Sequence, residues 1–62
     1  MKTTELHRII LRNGWIELKG RGKGAHKVYM KNGKLYTVPY HGAAEMKNYF
    51  AKRILKEMGI YE

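Results

Sequence analysis

The chain has no cysteine, a single proline and only five acidic residues among sixty-two. Without cysteine, neither a disulfide-stapled secreted miniprotein nor a zinc ribbon can be built. The longest purely apolar run is Ile9-Ile10-Leu11, far too short to cross a bilayer, and no signal-peptide pattern opens the sequence. No membrane role is expected, and the cytoplasm is the expected compartment. The scarcity of acid says more. Thirteen Lys and Arg against five Glu give a net charge of +8. On so small a body that field narrows the partners to nucleic acid, an anionic membrane or an acidic protein. The five acids, Glu5, Glu17, Glu45, Glu57 and Glu62, stand singly, which argues against a two-metal nuclease built on clustered carboxylates. Neither a metal nor a small-molecule cofactor is expected.

What is present suffices for one small domain over residues 1–62. Such a chain buries only about 60% of its unfolded surface, so its core is thin. An apolar fraction of 44%, with one Trp, five Tyr and one Phe, still argues for a globular fold against disorder. There is no repeat, low-complexity tract or linker.

Helical spacing of Leu6, Ile9, Ile10 and Asn13 predicts a first helix, with Arg8 and Arg12 outward. Thr3 or Thr4 is its expected cap, Glu5 favours its dipole, and Asn13-Gly14 ends it. Residues 15–18 read as a short strand, and residues 26–30 and 35–38 as two more. Asn32-Gly33 between the last two is the strongest short-range hairpin signal, because a type I′ turn needs positive φ at both positions. A two-residue turn pairs Met30 with Leu35, Tyr29 with Tyr36, Val28 with Thr37 and His26 with Pro39. Alternation then gives Tyr29, Tyr36 and Val38 one face, and His26, Val28 and Thr37 the other. Pro39 stops the last strand. Met46, Phe50, Ile54 and Met58 at successive i+4 positions predict a second helix, capped by Gly59 with Ile60 closing over its last turn. The expected fold class is α+β, in the order α-β-β-β-α: a three-stranded antiparallel sheet with both helices on one face.

The stretch Gly20-Arg21-Gly22-Lys23-Gly24-Ala25-His26-Lys27 has the least obvious purpose. It is not a dinucleotide fingerprint, since it opens a strand where that fingerprint opens a helix, and it lacks the ending of a P-loop. It is either a mobile connection or a functional loop. Its chemical content favours function, for Arg21, Lys23 and Lys27 flank an imidazole on a backbone able to approach a ligand closely.

Gly14-Trp15, Gly24-Ala25-His26 with Tyr29 three places on, Asn32-Gly33, Thr37-Val38-Pro39-x-His41 and Ile54-Leu55-Lys56-x-x-Gly59 follow one another in a single register from Thr4 to Ile60. Together they resemble the HicA family, small toxin ribonucleases (mRNA interferases) of toxin–antitoxin systems. The resemblance implies a double-stranded-RNA-binding-domain-like fold, cleavage of RNA dependent on one histidine, and neutralisation by a HicB-type antitoxin protein. The family's glycine, small hydroxyl residue and histidine fall on Gly24, Ala25 and His26, so His26 inherits the catalytic role. The chain departs from the pattern twice. Ala25 lacks the usual hydroxyl, and Tyr49-Phe50 stands where the family often starts its second helix with glycine-threonine. The second helix is therefore expected to begin near Ala43 or Ala44.

RNA can be cut without a metal, because its 2′-hydroxyl attacks the adjacent phosphate once a proton carrier is in place. An imidazole suits that task near neutrality, and nearby cations offset phosphate charge. His26 is read as general base or acid, with Arg21, Lys23, Gly24 and Lys27 contacting phosphate. The plainer reading of His26 is a strand residue bonded to backbone. His41 is a second proton carrier, an RNA contact or a loop histidine; His7 is expected to be a solvated surface residue. Tyr29 and Tyr36 are expected in the core, while Tyr40 and Tyr49 either stack on bases or pack at boundaries. Lys47, Lys52 and Arg53 form a phosphate grip near the start of the second helix or, with Lys56, simply its solvated face. Three functions follow in order of preference: a metal-independent endoribonuclease toxin, a non-catalytic binder of structured RNA, and a basic subunit for an acidic protein.

Overall fold

A computed structural model describes residues 1–22, 24–42 and 44–61. The chain runs α1 (Thr3–Arg12), β1 (Ile16–Glu17), β2 (His26–Lys31), β3 (Lys34–Pro39) and α2 (Asn48–Glu57). The strands form one antiparallel sheet in the order β1-β2-β3. This is the expected α-β-β-β-α arrangement, although β1 is a two-residue ribbon where four residues were anticipated.

The hairpin pairs as the turn chemistry requires. Asn32 and Gly33 both take positive φ, 52° and 78°, so the connection is the two-residue kind whose twist matches the strands. Met30 pairs with Leu35, Tyr29 with Tyr36, Val28 with Thr37 and His26 with Pro39. Tyr29 and Val38 consequently point into the core, where Leu6 and Ile10 of α1 and Ala51, Ile54 and Leu55 of α2 meet them. Trp15, Met46 and Met58 complete that cluster, so both helices cover the same sheet face. Tyr36 is only partly buried at its margin.

The ends of the helices depart from expectation. The α1 N-cap is Lys2, with no side-chain cap bond. Thr3 is fully buried, and both its backbone N–H and its hydroxyl donate to the Ala44 carbonyl at 3.0 Å. The expected start of α2 near Ala43 or Ala44 is corrected to Asn48; Ala43 itself lies outside the described residues. Residues 44–46 run extended beside the chain's first residues: Lys2 and Glu45 form a β-bridge, and the Met46 N–H donates to the Met1 carbonyl at 2.8 Å. Backbone groups spent on that pairing are not free to make a helical turn. The later start rotates the core stripe to Ala51, Ile54, Leu55 and Met58, leaving Phe50 exposed. At the other end, Ile60 N–H bonds the Leu55 carbonyl and Gly59 N–H the Lys56 carbonyl. These are the two bonds of a Schellman close, with Ile60 packed on the core as expected.

Candidate active site

His26 opens β2, and its side chain is exposed. Its backbone is held on both sides. A β-carbon added to Gly22 would lie 2.3 Å from the His26 carbonyl oxygen, so only glycine allows the preceding loop to lie against that carbonyl. On the other side, the Tyr40 N–H donates to the Ala25 carbonyl at 2.5 Å, continuing the β2–β3 ladder beyond His26 and Pro39. Gly22 and Ala25 thus hold the His26 backbone in place, with its imidazole exposed.

That imidazole borders a cavity of about 480 Å3 between the edge of β3 and α2. Thr37 and Pro39 contribute from the strand, and Phe50, Arg53 and Glu57 from the helix. Register sets His26 on the sheet face away from Tyr29, as alternation requires. In the structure its strand-end position and the exposed β3 edge let it share the cavity with α2. Glu57 accepts the Tyr36 hydroxyl and, at 3.2 Å, the Arg53 Nε–H. These two bonds hold the Glu57 carboxyl below the usual carboxylate range, and burial with the adjacent Glu57 pushes the Tyr36 hydroxyl up to about 12. A smaller cavity of about 290 Å3 lies near Trp15 and Asn32, with Lys31 and Lys34 in its wall and no acid or imidazole. Among the described residues, no three His, Cys, Asp or Glu side chains gather where they could share an ion.

The anticipated phosphate contacts are divided by the fold. Arg53 joins His26 at the cavity. Lys27, next in sequence, points to the opposite face by strand alternation. Its Nζ lies 4.1 Å from the centre of the Tyr40 ring and 3.7 Å from a Glu17 carboxylate oxygen. The expectation that it flanks the imidazole is therefore corrected: Lys27 braces the sheet behind it. Arg21, Gly24, His41, Lys47 and Lys52 are all exposed and outside the cavity wall. Lys23 lies outside the described residues. Tyr49 is 71% exposed.

His7, expected on the surface, is 5% exposed. Its Nε2 meets the Pro39 carbonyl at 2.9 Å and its Nδ1 the Tyr29 hydroxyl. A carbonyl can only accept, so Nε2 carries the proton and neutral Nδ1 accepts from Tyr29. The Tyr40 ring stands edge-on to the imidazole, with centroids 4.9 Å apart. Burial lowers the His7 pKa most, with Lys27 assisting against the opposing pulls of the Pro39 carbonyl and Glu17. Burial likewise pushes the Tyr29 hydroxyl up to about 12. The sequence held a signal for this: His7 is four residues after Thr3 and three before Ile10, on one helical face. The bonded Pro39 is the strand partner of His26, so a core group steadies the site's floor.

The family described as HicA toxin of bacterial toxin–antitoxin matches residues 3–60. A curated relative from Pseudomonas fluorescens (strain Pf0-1), named probable mRNA interferase HicA, is 36% identical over 64 aligned positions that cover 97% of each chain. No solved structure gives a significant match.

Proposed function

The chain belongs to the HicA toxin family, and from that premise we propose that it is an endoribonuclease toxin cutting messenger RNA through His26. The observation that carries the reading is an imidazole exposed in side chain and held in backbone, bordering a cavity shared with Arg53. His26 takes the proton from a ribose 2′-hydroxyl as its oxygen bonds to phosphorus. The bond from phosphorus to the 5′-oxygen breaks, and that oxygen takes a proton from solvent water as it leaves. Arg53 neutralises charge gathering on the phosphoryl oxygens. The step needs no metal. His41, Arg21, Lys23, Lys47 and Lys52 serve as outlying phosphate contacts on a chain of net charge +8. Work on messenger RNA places the protein in the cytoplasm, with a HicB-type antitoxin as the partner that silences it.

The test is expression of the wild type and His26→Ala, with growth, message integrity and cleavage of a defined RNA followed together. An exposed substitution costs within about half a kcal/mol of stability, whereas a positioned proton carrier contributes about a hundredfold or more in rate. His26→Ala is expected to melt like the wild type, bind RNA and antitoxin, and lose toxicity. A folded variant cutting at the wild-type rate ends the assignment. A wild type that binds RNA without cutting it leaves a non-catalytic binder.

A further inference from the structure

We propose that the cavity between β3 and α2 is a nucleobase subsite, in which Phe50 stacks on an amino-bearing base next to the scissile phosphate and Glu57 reads its edge. The inference rests on the reading of the chain as a ribonuclease acting at His26. Its own grounds are separate. At about 480 Å3 the cavity falls within the range of small-ligand sites, about 300–1,000 Å3. With α2 starting at Asn48, Phe50 lies off the buried stripe of the helix and is 38% exposed in the cavity wall. An exposed aromatic ring in the wall of a cavity that an imidazole also borders offers a stacking platform for a base. Pro39 supplies a second apolar wall.

Glu57 gives the platform its selectivity. One carboxylate oxygen accepts Tyr36 and the other accepts Arg53, so the group is oriented while each oxygen keeps a lone pair. Those two donors lower its pKa from an already acidic 4.5, so it is ionised at neutral pH. An ionised carboxylate only accepts. Adenine, cytosine and guanine each offer an exocyclic amino group, whereas uracil shows one N–H between two carbonyl oxygens that a carboxylate repels. Arg53 spends only its Nε–H on Glu57, leaving the rest of its guanidinium for the neighbouring phosphate. Base and phosphate are thus addressed by adjacent turns of one helix.

The experiment takes wild type, Glu57→Gln, Phe50→Ala and Phe50→Tyr to a single-stranded RNA pool randomised over several positions, with product ends sequenced. Wild type is expected to disfavour uracil about tenfold at one position adjoining the cut. Glu57→Gln, whose amide both donates and accepts, loses that bias, so that sites with and without uracil are cut at equal rates relative to one another. Phe50→Ala raises KM for every sequence and Phe50→Tyr restores it. Cleavage with no base bias beside the cut, or a bias unchanged in Glu57→Gln, overturns the subsite and leaves the ribonuclease reading standing. In parallel, His26→Ala is titrated with short RNAs differing only by adenine or uracil at one place. If wild type cuts nothing, the ribonuclease reading fails by itself. An adenine preference erased in the His26→Ala, Glu57→Gln double variant then upholds the subsite, and equal binding overturns it.

Discussion

Removing either member of the His7–Tyr29 pair should cost far more than removing the second once the first is gone. Tyr29 is 1% exposed and His7 5%, so neither group can turn to water for a replacement bond. Tyr29→Phe leaves one buried acceptor, Nδ1, without a donor, a cost of about 1–3 kcal/mol. His7→Leu strands two groups, the Tyr29 hydroxyl and the Pro39 carbonyl, for about 2–5 kcal/mol. A sixty-two-residue domain has roughly 3–9 kcal/mol of stability in all, so the second change approaches unfolding. In the double variant the hydroxyl and Nδ1 are both gone and only the carbonyl is orphaned. Its cost should fall at least about 1 kcal/mol short of the sum of the singles. Thermal and urea melts of the four proteins measure this, at roughly 4–8 °C per kcal/mol for a domain of this size. Additive costs would mean that the two groups do not hold each other, and the tautomer argument would fall.

The same pair sets a pH dependence. Burial lowers the folded-state pKa of His7 below its ordinary 6.5. As pH falls through 6.5 the unfolded chain takes up the proton first, so stability is full above that value and is lost on the way down. The loss levels off once pH drops below the folded-state pKa. Protonated Nδ1 would face the Tyr29 hydroxyl as a second donor, which is the structural form of the penalty. Lys27, beside Tyr40 and Glu17, opposes that charge, while Glu17 and the Pro39 carbonyl favour it. Exposed Glu45 and Glu57, whose carboxyls sit below their ordinary 4.5, add a further loss only at lower pH. Melting temperature should therefore decline below about pH 6.5 in wild type, and the His7-dependent part of that decline should be missing from His7→Leu. An identical slope in both proteins refutes the assignment.

Gly22→Ala drives a methyl group into the His26 carbonyl and should cost about 1–3 kcal/mol with a larger loss of cleavage; melting and activity of the variant as wild type would mean the loop yields freely. RNA affinity should weaken by orders of magnitude between low and moderate salt, as expected when several phosphates are neutralised, and a flat salt series would remove nucleic acid as the main partner. Cleavage should survive a chelator and leave 2′,3′-cyclic phosphate and 5′-hydroxyl ends; products with 5′-phosphate ends would require an activated water instead.

The hairpin was legible because Asn32-Gly33 fixes loop length, and loop length fixes every pair up to His26 and Pro39. The C-terminus of α2 was legible for a similar reason: glycine followed by an apolar residue encodes its own local bonds. The start of α2 was not. Whether residues 44–46 coil or extend depends on a partner more than forty positions away in sequence, the backbone at Met1 to Thr3. Nearness in sequence also misled at Lys27, where strand alternation sends neighbours to opposite faces. Arg53 and His26 border one cavity only after α2 has docked, so their nearness carried no local signature. His7 lay on the apolar face by spacing, but its polarity and the adjacent Arg8 suggested solvent.

These results bear on what the glycine-rich stretch is for. A linker would leave His26 to wander, and a phosphate cradle would turn its backbone N–H groups outward. Here Gly22 lies against the His26 carbonyl, Ala25 is tied to Tyr40, and Pro39 opposite is tied to His7. Three constraints from the loop, the neighbouring strand and the first helix thus converge on one residue, while its side chain stays in solvent. A transferred proton moves over a fraction of an ångström, so a carrier gains rate when its backbone is fixed and loses it when it is loose. A histidine with only a structural role would show the reverse, a bonded ring on a backbone of no special rigidity. That reverse pattern fits His7, whose ring makes two bonds within ordinary helix. The two histidines are separated by one paired residue, Pro39; the buried one holds the strand, and in the proposed ribonuclease the exposed one meets substrate.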